Sequence, residues 1–145
     1  MQKQRNSCYT YFSMRGDFDP EEISKRLGLC PSKCGRIGDH RKDGSLFDFA
    51  YWQYGDCDEY DVLIENQMRK SIAGLLNKIE VLNEIREQFP VSFCLEVVPQ
   101  IYVNNVLPCL SPPLDVIDFC HATRTEIDID YYILSDQDES LDAKS

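Results

Sequence analysis

The segment from Cys8 to Pro20 joins a strand pattern directly to a helix start. Residues 8–15 are rich in β-branched and aromatic side chains that alternate with a period of two, which is the pattern of a strand. Asp19 can accept hydrogen bonds from the free backbone N–H groups of a following helix, and Pro20 suits the first helical position. The segment therefore predicts a strand–turn–helix joint. Its strand would have one face of Cys8, Thr10, Phe12 and Met14 and another of Tyr9, Tyr11, Ser13 and Arg15.

The remaining segments continue this alternation of strands and helices. Strand patterns occur at 46–54, 91–98 and 126–134, and helical patterns at 58–89, with a break near Gly74, and at 111–123. This order predicts a single α+β domain over residues 1–134. We expect a mainly antiparallel sheet of four to five strands with the helices packed on one face, ferredoxin-like or related. Residues 135–145 are acidic and polar, which predicts a disordered C-terminal tail.

The composition of the chain indicates its cellular compartment. The chain has 145 residues, 43% of them hydrophobic, which suffices for a core without disulfide support. No stretch approaches the roughly twenty apolar residues of a membrane span, and the first residues do not read as a signal peptide. The seven cysteines are odd in number, which favours reduced thiols over a disulfide scaffold. We expect a cytoplasmic protein.

The net charge of the chain restricts the classes of partner that it can bind. The formal net charge is -10, and residues 56–65 carry five acidic side chains without a basic one. Nucleic acid and anionic membranes need a cationic surface, so neither is expected as a partner. A basic protein is the expected partner.

The sheet face left open by the helices is the candidate binding surface. Aromatic side chains surrounded by charge are typical of protein-binding surfaces, although the same face could simply be solvated, with its carboxylates preventing edge association. If the register of the second strand shifts by one residue, the neighbours of Trp52 lie on this face in its place. The candidate partner-binding residues are Tyr9, Tyr11, Arg15, Trp52, Glu96, Asp128, Asp130 and Tyr132.

No residue is predicted to be catalytic, and no metal or cofactor is predicted. One alternative is a small-molecule or carbohydrate-processing enzyme that uses Glu96, Asp128 and Asp130 around Trp52. It requires a concave pocket there and a carboxylate with a perturbed pKa. The second alternative is a zinc-linked regulatory domain, since Cys30 and Cys34 lie in one loop, but two ligands at this spacing are weak evidence.

Several segments together resemble the mostly bacterial family catalogued as domain of unknown function 4279. They are YTYFSMRGDFDPEEIS, LGLCPSK, the Gly38-Asp39 pair, the aromatic strand around residue 52 and the closing IDIDYYI. The loop with Cys30 and Cys34 is richer in cysteine than the family pattern. The resemblance implies a small, stand-alone cytosolic α+β domain without known catalytic residues.

The expected function is non-enzymatic protein binding. Small acidic proteins of this kind often serve as immunity partners of bacterial toxins, so by analogy we expect an immunity-type inhibitor. Electrostatic steering would speed its association with a basic toxin.

Overall fold

A computed structural model describes residues 4–60 and 63–135, which form a six-stranded sheet and four α-helices. A short 3₁₀ turn, Ala73–Leu75, lies between the second and third helices. The tail predicted over 135–145 lies, apart from Ser135, outside the described residues. The elements are β1 (Ser7–Gly16), α1 (Pro20–Leu27), β2 (Lys33–Gly35), β3 (Ala50–Tyr60), α2 (Ile64–Ile72), α3 (Ile79–Gln88), β4 (Val91–Tyr102), α4 (Leu114–Thr123), β5 (Thr125–Ile129) and β6 (Tyr132–Leu134).

The sheet is mixed, and the α+β class is confirmed. Its strand order is β2-β3-β1-β4-β5, and β6 also pairs with β4. The pairs β1–β3, β1–β4 and β2–β3 are antiparallel, whereas β5 and β6 run parallel to β4. Helix α4 returns the chain to the start of a parallel neighbour, as a β-α-β unit requires. The predicted four to five strands were too few, and the ferredoxin-like architecture stays a prediction.

The strand–turn–helix joint is confirmed. Asp19 Oδ1 accepts a hydrogen bond from the Glu21 amide at 3.0 Å, and Pro20 is the first residue of α1. The helix ends at Gly28, whose φ of 67° is left-handed and therefore favours glycine. These contacts fix the direction in which the chain leaves β1.

The bounds of three strands differ from the prediction, and the strand predicted at 91–98 continues to Tyr102. The strand predicted at 46–54 begins at Ala50 and continues to Tyr60, because residues 57–60 pair with the first residues of β1. The start of the predicted helical segment is therefore wrong. The predicted strand 126–134 is divided into β5 and β6, with Asp130 and Tyr131 between them.

The core lies between one face of the sheet and the helices. The strands contribute the alternate residues that include Phe12, Met14, Phe93 and Leu95, all essentially inaccessible to solvent. Burial of such side chains contributes roughly 1.5–3 kcal/mol each. The helices contribute a matching set: Ile23, Leu27, Ile64, Met68, Ile72, Leu82, Ile85, Val116 and Phe119.

Trp52 belongs to this core, so its predicted place on the open face is wrong by one residue. Its side chain is 0% exposed, and its indole Nε1 donates a hydrogen bond to Ser24 Oγ at 3.0 Å. The register pairs it with Met14 on the core face of β1. Its neighbours Tyr51 and Gln53 therefore point to the open face.

An irregularity in the β1–β3 pairing changes the direction of β3 halfway along. The register shifts between Thr10 and Phe12, opposite Gly55, whose φ is 75°. The buried amide of Gln67 on α2 donates hydrogen bonds to the carbonyl oxygens of Cys8 and Cys57. The helix thus supplies hydrogen bonds to carbonyl groups next to the irregularity.

None of the helices within the described ranges has both the length and the apolar character that crossing a membrane would demand.

Candidate functional site

The open face is arranged in cross-strand rows around β1 and β4. Tyr11 on β1 lies opposite Glu96 on β4, and Glu96 lies opposite Asp128 on β5. One row away, Ser13 lies opposite Cys94. Side chains directly opposite in a sheet are about 5 Å apart at Cβ, so each row is a line of contacts. The structure therefore brings the predicted residues Tyr11, Glu96 and Asp128 together.

Glu96 and Asp128 form a carboxyl pair. Burial raises the pKa of Glu96 above its usual value, and the hydrogen bond with Asp128 raises it further. The charge of Arg15 opposes this shift by lowering the pKa of Glu96, but no lysine or arginine among the described residues forms a salt bridge with either carboxyl group. The pair therefore places two acidic groups side by side on the open face, one half-buried and one exposed.

Cys94 lies beside this pair. Its Sγ donates a hydrogen bond to Glu96 Oε1 at 3.4 Å. Burial, followed by the charge of Glu96, raises the pKa of the thiol to about 12. A thiol with so high a pKa is protonated at neutral pH, so Cys94 is not a reactive nucleophile.

Tyr9 is held in a polar network at the irregularity of β3. Its hydroxyl donates to Asp56 Oδ2 at 2.6 Å, and Gln53 Nε2 donates to that hydroxyl at 2.9 Å. Asp56 Oδ1 also lies 2.7 Å from Ser32 Oγ, which fixes its second oxygen. Burial and the hydrogen bond to Asp56 raise the pKa of Tyr9. This tyrosine is ordered and half-exposed, as a binding surface requires.

Arg15 lies at the end of the face that the 36–49 loop covers. Its guanidinium carbon is 5.3 Å from the centre of the Phe49 ring. In the same loop Arg41 contacts the rings of Phe47 and Phe49, at 4.3 and 5.6 Å. The loop encloses a cleft of about 240 Å³ against β1 and β3. The open face is therefore concave at this end, which the sequence did not predict.

Tyr132 lies away from the carboxyl pair. It is opposite Gln100, four residues from Glu96 and so about 13 Å along β4. Asp130 lies between the two, and its amide donates a hydrogen bond to the carbonyl oxygen of Val97 at 2.9 Å. The charge of Asp130 raises the pKa of the exposed Tyr132, so these two residues interact with each other.

Sequence reasoning missed Asp56, Cys94 and the aromatic residues of the 36–49 loop. Cys94 could have been found, because it alternates with Glu96 on a predicted strand. Asp56 could not, because its direction depends on the irregularity in β3.

A metal ion could be held only at one place in the described ranges 4–60 and 63–135. The ligand atoms of Cys94, Glu96 and Asp128 all lie within 4.8 Å of one another. Thiolate and carboxylate ligands suit zinc. Cys30 and Cys34 are exposed and belong to no such group among the described residues. The zinc alternative based on their loop is therefore not supported by a cluster of ligand atoms in that part of the chain.

Comparison with known proteins gives one result. Neither the curated proteins nor the solved structures include a match. The family described as Domain of unknown function (DUF4279) matches residues 6–134, which is most of the chain. The resemblance seen in the strand–turn–helix joint and the closing strand is thereby confirmed, and the chain belongs to this family of unknown function.

Proposed function

We propose that this chain is a non-enzymatic cytoplasmic binding domain, an immunity-type inhibitor that holds a basic bacterial toxin against the open face of its sheet. The observation that carries the proposal is the carboxyl pair of Glu96 and Asp128. It forms no salt bridge with a lysine or arginine among the described residues and lies beside the half-exposed Tyr11. A guanidinium group from a partner would bind both carboxylates and relieve their repulsion.

The surroundings of the pair support the same proposal. The rings of Tyr9 and Tyr11 are 5.1 Å apart and form a continuous aromatic surface next to the charge. Tyrosine is enriched at the energetically dominant positions of protein interfaces. The net charge of -10 would speed the approach of a basic partner.

The test compares three baits in a pull-down from the native host. They are the wild type, a face variant with Asp128→Lys and Asp130→Lys, and a control with Glu84→Lys and Glu87→Lys. The control changes the net charge equally but on α3, away from the face. We expect the wild type and the control to capture a basic protein, and the face variant to bind it at least about tenfold more weakly.

Association of the purified partner is then measured at rising salt concentration. We expect the association rate to fall, since salt screens exposed charges. Circular dichroism checks that the face variant is folded. Equal capture by the face variant, or an association rate that does not respond to salt, would contradict the proposal.

A second candidate is a small-molecule or carbohydrate-processing enzyme. The raised pKa of Glu96 favours it, because a general acid needs a proton at neutral pH. The geometry favours it less. The ligand oxygens of Glu96 and Asp128 lie within 4.8 Å of each other, whereas glycosidases hold their carboxyl groups about 5–9.5 Å apart. Trp52, the expected sugar-stacking ring, is buried on the other face. Turnover of aryl glycosides that Glu96→Gln abolishes would favour the enzyme over the inhibitor.

A further inference from the structure

The cleft between the sheet and the 36–49 loop has the features of a small-molecule site. Its floor is formed by β1 and β3 and its wall by the loop, with a volume of about 240 Å³. Pockets for drug-sized ligands measure about 300–1,000 Å³, so this cleft suits a smaller molecule. Three of its four aromatic side chains, Phe47, Phe49 and Tyr51, give it an apolar wall.

Two arginines give the cleft a positive charge in a chain whose net charge is -10. Arg15 and Arg41 both lie within 6 Å of the centre of the Phe49 ring. Contact with a ring positions a guanidinium group without occupying its N–H donors in strong hydrogen bonds. Arg15 makes no salt bridge within the described part of the chain. Arg41 reaches only the exposed Asp48, at 4.0 Å. The N–H donors of both are therefore available to a ligand.

A hydroxyl group lines the same cleft. Ser13 is only 5% exposed as a residue, and its hydroxyl makes no hydrogen bond with any other described residue. The hydroxyl can therefore donate a hydrogen bond to an acceptor oxygen of a ligand in the cleft. This observation is independent of the arginines and points to the same kind of ligand.

We propose that the cleft binds a small organic oxyanion, a carboxylate or phosphate carried on a planar apolar body. Arg15 and Arg41 bind the oxyanion, Ser13 donates a hydrogen bond to it, and the rings of Phe47 and Phe49 contact the planar body. Guanidinium groups bind both carboxylate and phosphate through paired N–H donors. The site is independent of the proposed protein partner, because ligand binding needs no second protein.

The test is an NMR titration of the backbone amides with three probes. Benzoate and phenyl phosphate carry the two kinds of oxyanion, and benzamide has nearly the shape of benzoate without its charge. We expect saturable shifts at Ser13, Arg15 and residues 41–51 with at least one anionic probe. Benzamide should bind at least about tenfold more weakly, because it offers the arginines no charge. Comparison of the two anions identifies the oxyanion that the cleft prefers.

Two double variants then test the assignment. Arg15→Gln with Arg41→Gln should weaken binding of the anionic probe at least about tenfold. Arg69→Gln with Lys70→Gln removes the same charge from α2, on the helical side, and should leave it unchanged. The spectra also report folding, and Arg41→Gln alone, in the exposed loop, replaces the double variant if that one unfolds. The absence of saturable shifts with both anions, equal binding of benzamide, or unchanged binding by the cleft variant would each overturn the proposal.

Discussion

The Glu96→Gln variant is expected to be more stable than the wild-type protein at neutral pH. The ligand oxygens of Glu96 and Asp128 lie within 4.8 Å of each other. With both groups ionised and at the upper limit of that separation, two unit charges repel by roughly 3.5 kcal/mol at an effective dielectric constant of about 20, and by roughly 0.9 kcal/mol in bulk water. Asp128 is exposed and Glu96 is half-buried, so the lower part of this range applies. Glutamine keeps a hydrogen-bond donor to Asp128. We therefore expect the free energy of unfolding to rise by about 1 kcal/mol in the variant.

The direction of the pH dependence follows from the raised pKa of Glu96. Between the ordinary pKa and the raised one, the folded state binds more protons than the unfolded state. The contribution of Glu96 to stability is therefore fully present below its unfolded pKa and is lost as the pH rises through its folded pKa. Glutamine does not titrate, so the advantage of the variant should be largest at about pH 8 and should shrink towards about pH 5.

Urea unfolding followed by tryptophan fluorescence measures this difference. Trp52 is the one tryptophan of the chain and is fully buried, so its emission reports global unfolding. Glu84→Gln on α3 is the control, since it removes the same charge from an exposed position away from the open face. A Glu96→Gln midpoint equal to or below that of the wild type at about pH 8 would refute the reasoning.

Two further predictions concern the fold that supports the face. Gly55→Ala should destabilise the protein by at least about 2 kcal/mol, because its φ of 75° is strained for alanine and the new Cβ would overlap the Ser71 carbonyl. Gly28 has a similar φ but open space around it, so Gly28→Ala should lower the free energy of unfolding by only about 1 kcal/mol. Equal losses for the two variants in urea unfolding would contradict the steric argument. In thiol labelling at neutral pH, the exposed Cys30 should react before the buried Cys8, whose pKa is raised to about 12. Equal labelling rates in the folded protein would show that Cys8 is accessible.

The carboxyl pair shows how far sequence reasoning reached at the site. Glu96 and Asp128 were both expected on the open face, because each lies on a strand whose alternation is clear. Their pairing was not expected, since it depends on β5 running parallel to β4 in one register. The same dependence explains why Asp130, two residues further, lies outside the group. Alternation gives the face of a residue, and only strand pairing gives its neighbour.

Trp52 shows where the reasoning failed. Its strand was predicted to start at 46 and was assigned the wrong face. The structure starts β3 at Ala50 and uses residues 46–49 in the loop over the open face. The run LFDFAYWQY has aromatic residues at both odd and even positions, five of nine in all, so its periodicity cannot identify the buried side. The pairing of Trp52 with Met14, beneath α1, decides it.

The sequence by itself determined the strand–helix joint, the helix break near Gly74, the α+β class and the acidic charge. Each rests on local effects, such as capping by Asp19, the left-handed turn at Gly28 and alternation along one strand, which act within a few residues. The tertiary structure decided the buried place of Trp52, the carboxyl pair and the arginine-lined cleft. These depend on register and on an irregularity in β3, and a shift of one residue in either reverses the face of every side chain that follows.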